Sequence, residues 1–333
     1  MRIQLVRFPV LLLPAFLLLP VFLWAGGCTP SDADAGAAGP AEALDARGEV
    51  AVADTLATHG PDPEAETEMD WHIARDAFLT LGASSAAGLE PGERTAQAAL
   101  GFLGAPYIPA TLEIPGPERL VVNLRGFDCV TLVEHALTLA RLAAEAEPAL
   151  ADDDQAFQAR YRAELARLRY REGEPDGYLS RLHYFTEWLD RGIEAGELRE
   201  VTGELGGVPD PRPIHFMSSN PDAYRQLAAA PELVEEVRRL EAELSARPRL
   251  YIPQERIREV EGGIRDGDII AAVSALDGLD IAHTGFALRR DGRVHLLHAP
   301  LVGDSVEVSP RPLAERIQAI GSQTGIRVVR PVR

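Results

Sequence analysis

The sequence predicts an α+β fold, with helices in the first part of the chain and an antiparallel sheet near its end. Apolar residues recur at three- and four-residue steps between Val130 and Ala144, as in an amphipathic helix. The pair Asp291-Gly292 lies between two strand-like runs, which is a strong local signal for a β-hairpin. Helices followed by paired strands place the chain in the α+β class.

The opening residues 1–27 are typical of a secretory signal peptide. Two arginines, Arg2 and Arg7, precede an apolar run over residues 8–24, and small residues follow it. The run is short and is broken by prolines, which argues against a retained membrane-spanning helix. We therefore expect the protein to be exported.

Cys28 follows small residues that end at Gly27, and this resembles the processing site of a bacterial lipoprotein, whose cysteine becomes the lipidated first residue. Ala25 departs from the pattern, because such sites usually have leucine there, and plain cleavage is the alternative. Thr29 after the cysteine resembles the pattern of lipoproteins sent to the outer membrane of double-membraned bacteria. We expect a lipid anchor in the membrane at Cys28 and a location on the periplasmic side.

Residues 28–68 are rich in Ala, Asp, Gly, Pro and Glu and contain few large apolar side chains. Such a composition cannot bury enough surface to fold alone, so we expect a flexible tether after the lipidated cysteine. Residues 69–333 are within the range of one domain, and 46% hydrophobic residues in the whole chain suffice for a core. The expected organisation is a signal peptide, an anchored tether and one folded domain.

The chain carries 33 basic and 51 acidic residues, a formal net charge of −18. A surface this acidic repels nucleic acid, so we expect no nucleic-acid partner. No lysine occurs, and every basic side chain is arginine or histidine. Lysine nucleophiles and Schiff bases are therefore excluded.

Periodicity and turn residues define the expected elements of the folded domain. Amphipathic patterns predict helices, and Gly104 ends the one expected over residues 94–103. Short apolar or alternating runs predict strands, and prolines bound an irregular segment over residues 104–113. The expected helices cover residues 71–81, 94–103, 130–144, 152–170, 178–193 and 231–246. The expected strands cover residues 120–124, 214–217, 269–273, 279–290 and 293–299.

Cys129 is the one thiol that remains once Cys28 is assigned to lipid, and it then has no disulfide partner in an exported protein. Asp128 is a good N-cap residue, so Cys129 falls in the first turn of a helix. Unpaired amides and the helix dipole favour an anion there, so we expect the thiol to ionise below its free pKa of about 8.5. This predicts a nucleophile; the alternative is a small buried hydrophobe.

Hairpin geometry selects two histidines as partners for the thiol, since a thiolate nucleophile needs a base within hydrogen-bond reach. If residues 290 and 293 face each other across the turn, His283 and His298 project from one face within reach of each other. His295 is an odd number of residues from His298 and points to the other face. A three-residue loop would shift the register by one and separate the pair.

The remaining histidines are expected in structural or incidental positions. His135 lies six residues after the candidate thiol and is displaced from its helical face, so we expect a surface or packing role. His183 fits either a partly buried structural role or a substrate contact, and His215 fits a structural one. His59 and His72 lie in or beside the tether and are expected to be incidental.

Cys129, His283 and His298 are also residue types that bind zinc, so a zinc site is the competing interpretation. The chain has no HExxH motif, no paired CxxC motifs and no Asp-rich calcium loop. It has no GxSxG elbow and no phosphate-binding glycine loop. We therefore favour a cysteine nucleophile over a metal site.

Several separated motifs resemble one family of bacterial cell-wall hydrolases. Asp128-Cys129 at the start of a helix, IAHTGFA at 281–287 and LLHA at 296–299 resemble the NlpC-type branch of papain-like cysteine hydrolases. Further stretches resemble its N-acetylmuramoyl-L-alanine amidase-like members. They are GAPY at 104–107 with TLE at 111–113, RGFDCVT at 125–131, GYLSRLHYF at 177–185, FMS at 216–218 and GDII at 267–270. The likeness runs from about residue 94 to the end of the sequence.

The resemblance implies a papain-like fold, in which the helix bearing Cys129 packs on an antiparallel sheet bearing His283 and His298. It implies that residues 69–333 are a catalytic amidase domain acting on peptidoglycan or muropeptides, without a cofactor. Cys129 would be the nucleophile, His283 the general base, and His298 would orient His283. The motifs also supply candidates for substrate or oxyanion contact: Tyr107, Asp128, Arg181, His183 and Tyr184.

The resemblance favours cleavage between N-acetylmuramic acid and L-alanine. Two alternatives stay open: an endopeptidase of the same superfamily that cuts between D-glutamate and the diamino acid, and a non-catalytic wall-binding lipoprotein. The chain departs from the family pattern at Ile108-Pro109-Ala110, where one or two glycines are expected after Tyr107.

Overall fold

Long helices occupy the first part of the described chain and most of the sheet comes from the last part, which confirms the expected α+β class. The structure, a computed structural model, describes residues 66–82 and 88–333. The expected signal peptide, Cys28 and the tether up to residue 65 lie outside the described residues. None of the helices in these ranges combines the length and apolar character needed to span a bilayer.

The longer helices begin and end within a few residues of the bounds that periodicity predicts, except where noted below. The helices are α1 (Glu68–Gly82), α2 (Pro91–Leu100), α3 (Cys129–Glu145), α4 (Asp154–Arg169), α5 (Phe185–Glu194), α6 (Phe216–Ser219), α7 (Arg225–Ala229), α8 (Val234–Ala246), α9 (Ile257–Val260) and α10 (Leu313–Gln318). Short 3₁₀ segments lie at Pro148–Asp152, Tyr178–Ser180, Pro221–Ala223, Pro231–Leu233, Gln254–Arg256 and Glu261–Gly263.

One antiparallel sheet runs through the domain in the strand order β2-β3-β8-β4-β5-β6-β7, and β1 pairs with another part of β8. The strands are β1 (Leu198–Glu200), β2 (Val208–Pro209), β3 (Leu250–Pro253), β4 (Ile269–Ser274), β5 (Ile281–Arg290), β6 (Arg293–His298), β7 (Glu307–Val308) and β8 (Gln323–Pro331). The last strand along the chain therefore lies in the middle of the sheet.

Strands β5 and β6 form the hairpin predicted from Asp291-Gly292. Arg290 faces Arg293, and the pairing continues to Phe286 opposite Leu297. Both turn residues have positive φ, 51° for the aspartate and 78° for the glycine. A two-residue hairpin turn of this type requires such angles, so the predicted register is confirmed.

Helices cover both faces of the sheet. Apolar side chains on one face, such as Phe286 and Leu297, pack with buried residues of α1 and α3. On the other face, Leu296 and Ile326 pack with Leu313 and other apolar residues of α10. The start of α3 and the side chains of α10 therefore approach the sheet from opposite faces.

Residues 120–124 are not in a strand, so that prediction is wrong. The N–H of Leu124 donates to Oδ1 of Asp70 at 2.8 Å, and the carbonyl of Val121 accepts from Nη1 of Arg169 at 2.6 Å. Side chains thus satisfy backbone groups that a neighbouring strand would otherwise pair. The apolar run that suggested a strand reflects burial of this extended segment against the helices.

One further predicted element starts later than expected, and another is wrong. The helix expected over residues 178–193 begins only at Phe185, because the N–H of Leu182 donates to the carbonyl of Arg169 at 2.9 Å and holds this stretch extended. The strand expected over residues 214–217 is a loop leading into α6. There the N–H of Phe216 donates to the carbonyl of Gly278 at 3.1 Å.

Candidate active site

Cys129 is the first residue of α3, and Asp128 fixes the start of that helix. Oδ1 of Asp128 accepts hydrogen bonds from the N–H groups of Val130 at 3.0 Å and Thr131 at 2.7 Å. The N–H of Asp128 in turn donates to the hydroxyl of Thr131 at 2.9 Å. This reciprocal capping box holds the first turn in place. The partly buried Cys129 is a free thiol.

The two histidines selected by hairpin geometry hydrogen-bond to each other. Nε2 of His283 lies 2.8 Å from Nδ1 of His298, and the rings meet edge to face. Gly285 makes room for this arrangement, because a Cβ atom there would lie 2.6 Å from the carbonyl of Leu297 and 2.8 Å from Cβ of His298. Glycine at this position thus lets the two imidazoles approach.

The thiol contacts β5 one residue after His283. The backbone N–H of Thr284 hydrogen-bonds to Cys129. Pairing between β5 and β6 begins only at Phe286, so Thr284 lies on a stretch of β5 that β6 does not cover. The start of α3 therefore reaches β5 where the hairpin opens, at the residue that follows His283.

Burial dominates the ionisation of the thiol. It raises the pKa of Cys129 to about 12, and the neighbouring carboxylate of Asp128 acts in the same direction. The N–H groups of Thr284 and Val130 favour the thiolate but do not outweigh burial. The expectation that the start of a helix makes this thiol ionise easily is therefore wrong.

Burial also keeps the two histidines neutral. It lowers the pKa of His283 well below 6.5, and the nearby charge of Arg316 adds to the effect. Burial also lowers the pKa of His298, and the nearby charges of His283 and Arg316 lower that pKa further. At neutral pH Cys129 is therefore a protonated thiol, and His283 and His298 are neutral imidazoles.

Tyr107 lies next to the start of α3. Its backbone forms an isolated parallel bridge with Phe127, and its N–H donates to the carbonyl of Asp304 at 2.9 Å. Burial raises the pKa of the Tyr107 hydroxyl, and the charges of Cys129 and Asp128 act in the same direction. The phenol thus stays protonated close to the thiol and can donate a hydrogen bond there.

The residues after Tyr107 show how the chain accommodates its departure from the family pattern. Ala110 has φ of 56°, in the left-handed region that favours glycine. A Cβ atom at Gly126 would lie 2.5 Å from Cδ1 of Ile108, so a glycine on the facing segment leaves room for the larger side chain.

Arg181 lies in a buried ion cluster. Its Nη2 lies 2.7 Å from Oε1 of Glu113, and its Nε lies 3.2 Å from Oε1 of Glu118. Its guanidinium carbon lies 5.2 Å from the ring centre of Tyr178. These contacts pair the charge of Arg181 with two carboxylates of the described residues, and its predicted contact with substrate stays a prediction.

His183 and Tyr184 make hydrogen bonds to other groups of the described chain. Nε2 of His183 lies 2.8 Å from the carbonyl of Tyr178. The hydroxyl of Tyr184 donates to Oε1 of Glu241 at 2.7 Å and accepts from the N–H of Met217 at 2.9 Å. Tyr107 and Asp128 thus lie close to the candidate nucleophile, while Arg181, His183 and Tyr184 pair with other polar groups of the described chain.

Other histidines of the described chain have structural partners, while His59 lies outside it. The pairs are His135 with the hydroxyl of Tyr161 at 2.7 Å, His295 with the carbonyl of Ser309 at 2.8 Å, His215 with the hydroxyl of Ser219 at 3.0 Å, and the exposed His72 with the carboxylate of Asp76 at 3.3 Å. His295 pairs with Leu288, whose side chain packs on the α3 face, so it projects away from the histidine pair.

A family model described as AmiA-like, N-acetylmuramoyl-L-alanine amidase-like, matches residues 97–324. The chain belongs to the AmiA-like family. The match spans the candidate nucleophile and both strands of the hairpin. Among proteins with curated descriptions, no match was found.

Solved structures are similar to this AmiA-like chain over most of their length. An N-acetylmuramoyl-L-alanine amidase from Bacteroides uniformis ATCC 8492 is 37% identical with a TM-score of 0.67, covering 73% of this chain and 99% of that one. A Bacteroides fragilis protein named as a candidate xylanase is 34% identical with a TM-score of 0.63, covering 70% and 98%. Protein LPG0564 from Legionella pneumophila is 19% identical with a TM-score of 0.57, covering 80% and 95%, and shares the fold.

Two residues near the candidate site were not predicted from the sequence. Glu307 on β7 pairs directly with His298, and its Oε1 lies 3.7 Å from Nε2 of that histidine. Arg316 on α10 is close enough for its charge to act on Cys129, His283 and Glu307. Neither residue lies in a recognisable motif, and β7 is too short to give an alternating pattern.

Within residues 66–82 and 88–333, no cluster of three His, Cys, Asp or Glu side chains has the arrangement of a metal site. The facing nitrogens of His283 and His298 are occupied by their mutual hydrogen bond.

Proposed function

We propose that this AmiA-like protein is a cysteine-dependent N-acetylmuramoyl-L-alanine amidase of the papain-like NlpC type, acting on peptidoglycan or muropeptides. The contacts at the start of α3 carry the proposal: the thiol of Cys129 hydrogen-bonds to the N–H of Thr284, and the adjacent His283 hydrogen-bonds to His298. The family description and the 37% identical amidase from Bacteroides uniformis support an amide substrate.

In the proposed reaction, the sulfur of Cys129 attacks the amide carbonyl carbon while its proton passes to His283. The new C–S bond gives a tetrahedral oxyanion, and N–H groups at the start of α3 are suitable donors to it. The intermediate collapses, the C–N bond breaks, and the amine leaves with the proton from His283. Water then hydrolyses the thioester, with His283 again as base, and restores the thiol.

Glu307 favours the tautomers that this reaction needs. Its carboxylate lies 3.7 Å from Nε2 of His298 and attracts a proton onto that nitrogen. Nδ1 of His298 then accepts the hydrogen bond that Nε2 of His283 donates. Nδ1 of His283 is left unprotonated and can take the proton of the Cys129 thiol.

Because burial keeps the thiol protonated and the imidazoles neutral, the proton moves during attack rather than before it. This differs from a preformed thiolate and imidazolium pair. Exclusion of water by the bound substrate would strengthen the interactions that stabilise the developing charges.

Mass spectrometry of a defined muropeptide after digestion tests the proposal. We expect a free sugar acid and a peptide that begins with L-alanine, and no product from Cys129→Ala protein. Cleavage between D-glutamate and the diamino acid would identify the endopeptidase alternative. A Cys129→Ala protein that still hydrolyses the substrate would overturn the cysteine mechanism.

The same preparations separate the two remaining alternatives. A non-catalytic wall-binding protein would retain the muropeptide without forming product. A zinc protein would contain one stoichiometric zinc that is lost together with Cys129. Full activity in the presence of a chelator would exclude a metal-dependent reaction.

We also propose that the mature protein is exported and anchored on the periplasmic side of the outer membrane by lipid on Cys28. The signal-like residues 1–27 support this, and a tether of about 40 residues would span roughly 35 Å on average. Detergent partitioning of wild-type and Cys28→Ala proteins tests the anchor. A wild-type protein found in the aqueous phase, with its N-terminus beyond residue 28, would contradict the lipid anchor.

A further inference from the structure

Arg316 is a partly buried cation without an ion-pair partner among residues 66–82 and 88–333. It lies on α10, and its guanidinium makes one hydrogen bond there, from Nη1 to Oε1 of Gln323 at 3.4 Å. The neighbouring carboxylate of Glu307 lies beyond ion-pair distance and is directed to His298 instead. The guanidinium therefore has spare donors.

Most other buried arginines of the described chain have carboxylate partners within ion-pair distance. These pairs are Arg141 with Glu164 and Glu197, Arg169 with Glu134, Arg181 with Glu113 and Glu118, Arg327 with Asp190 and Glu200, and Arg330 with Asp268. Arg249 instead donates to the carbonyls of Leu244 and Arg212. Arg316, which is only partly buried, has no carboxylate within ion-pair distance among the described residues.

The position of Arg316 places it on the side of the sheet that bears the histidine pair. Helix α10 packs on the face of Ala287 and Leu296, and His283 and His298 share that face because each is an even number of residues from one of these two. The charge of Arg316 also acts on the thiol and on both imidazoles. Burial lowers the pKa of Arg316 to about 10, so the side chain still carries its charge at neutral pH.

A partly buried guanidinium without a counter-ion is less well stabilised than a paired one, and its donors that lack a protein partner remain accessible to an anionic ligand. Arginine presents a planar set of donors that matches a carboxylate. The whole chain has a net charge of −18 and repels anions in general, so a carboxylate substrate needs a local cation.

We propose that Arg316 binds a substrate carboxylate on the leaving side of the scissile amide, namely the α-carboxylate of D-glutamate in the stem peptide. This inference rests on the proposed amidase function. The acyl side of the bond is a lactyl ether of a sugar and offers no free carboxylate. On the leaving side, the D-glutamate follows L-alanine, so its α-carboxylate lies about two residue lengths, or roughly 7 Å, from the reacting carbonyl.

The first experiment compares two muropeptides of equal length, in which the α position of D-glutamate is either a carboxylate or a carboxamide. We expect wild-type kcat/KM to favour the carboxylate by about tenfold or more, since hydrogen bonds to charged groups are the stronger ones. Arg316→Gln should lose this preference and Arg316→Lys should keep part of it. Because any effect of Arg316 on the thiol is common to both substrates, their ratio isolates recognition.

Arg238→Gln is the matched control. Arg238 lies on the exposed surface of α8, where it pairs with Glu235, so this variant should keep the wild-type ratio. An equal ratio in the wild-type and Arg316→Gln proteins would overturn the carboxylate site while leaving the amidase function intact. Thermal unfolding of each variant shows whether the protein compared is folded.

The second experiment does not depend on turnover. Calorimetric titration of Cys129→Ala protein with L-alanyl-D-glutamate and L-alanyl-D-isoglutamine should show preference for the former, and Arg316→Gln in the same background should remove it. If Cys129→Ala protein prefers L-alanyl-D-glutamate but wild-type protein hydrolyses neither muropeptide, the anion site is supported and the amidase function is overturned. Equal binding of both dipeptides would overturn the site.

Discussion

Nε2 of His283 lies 2.8 Å from Nδ1 of His298, and the two ring planes meet at 87°. One proton lies between these nitrogens, so the tautomer of one ring fixes that of the other. The outer nitrogen of His298 is buried and has no hydrogen-bond partner within the described chain, while the carboxylate of Glu307 lies 3.7 Å away. Glu307 is therefore the group that can determine which nitrogen carries the proton in both rings.

The Glu307→Gln variant tests this bias. Loss of the negative charge removes the preference for a proton on Nε2 of His298, so His283 is less often an unprotonated base toward the thiol. We expect kcat/KM to fall by roughly ten- to a hundredfold, within the range of general base catalysis. Nitrogen chemical shifts of the two imidazoles should report the changed tautomers. Unchanged shifts together with unchanged kcat would exclude Glu307 as a positioning residue.

The pH dependence of alkylation tests the protonation state of Cys129. Burial raises the pKa of this thiol to about 12, so the protonated form dominates up to high pH. The rate with a neutral alkylating reagent should keep rising above the free-thiol value of about 8.5. The cation of Arg316 favours the thiolate, so Arg316→Gln should shift the curve to higher pH. A wild-type midpoint below 8 would instead indicate a thiolate and imidazolium pair.

Matched substitutions at His283 and His295 test whether these two side chains project from opposite faces of the hairpin. His283→Gln removes the proposed base and should lower kcat/KM by about 10²- to 10⁴-fold. His295→Gln changes a buried side chain on the other face, which contacts the carbonyl of Ser309. It should keep kcat/KM within about twofold while lowering the free energy of unfolding by about 1 kcal/mol. Similar activity losses in both variants would contradict the assigned roles.

Ala110→Gly should stabilise the protein. Ala110 has φ of 56°, a conformation that costs an L-residue about 1–2 kcal/mol and glycine little. The greater conformational entropy of glycine in the unfolded chain offsets part of this stabilisation. We therefore expect a net increase of about 0.5 kcal/mol in the free energy of unfolding. Urea unfolding measures it. A decrease would mean that the segment does not hold this conformation.

Arg169→Met should be strongly destabilising. Nη2 of Arg169 lies 2.7 Å from Oε2 of Glu134, both side chains are buried, and Nη1 holds the carbonyl of Val121. Removing one partner of a buried pair leaves an uncompensated charge, which costs about 3–5 kcal/mol. Urea unfolding should show this loss, and Arg169→Met with Glu134→Leu should recover much of it. A double variant as unstable as the single one would contradict this explanation.

Local sequence signals predicted the elements that depend on local chemistry. Asp291-Gly292 fixed the hairpin because only certain residues adopt its backbone angles, and the register then paired His283 with His298. Asp128 marked the start of α3 because its carboxylate accepts from the first helical N–H groups. Such interactions involve neighbours in sequence, so they can be inferred from the sequence alone.

Features that depend on distant partners could not be predicted in this way. Residues 120–124 have the pattern of a strand, but their backbone is held by Asp70 and Arg169. The effect of burial on Cys129 depends on the whole layer around α3. Glu307 and Arg316 reach the site through the sheet order and the packing of α10, which no local pattern specifies.

The central position of β8 has a consequence for biosynthesis. Strands β1, β3 and β4 all pair with β8, yet about 125 residues separate the start of β1 from the start of β8. At about 5 to 20 residues per second, roughly 6 to 25 s pass before the ribosome adds the strand that joins them. The nascent chain therefore stays open during this time, with unpaired strand edges that favour aggregation unless another protein covers them.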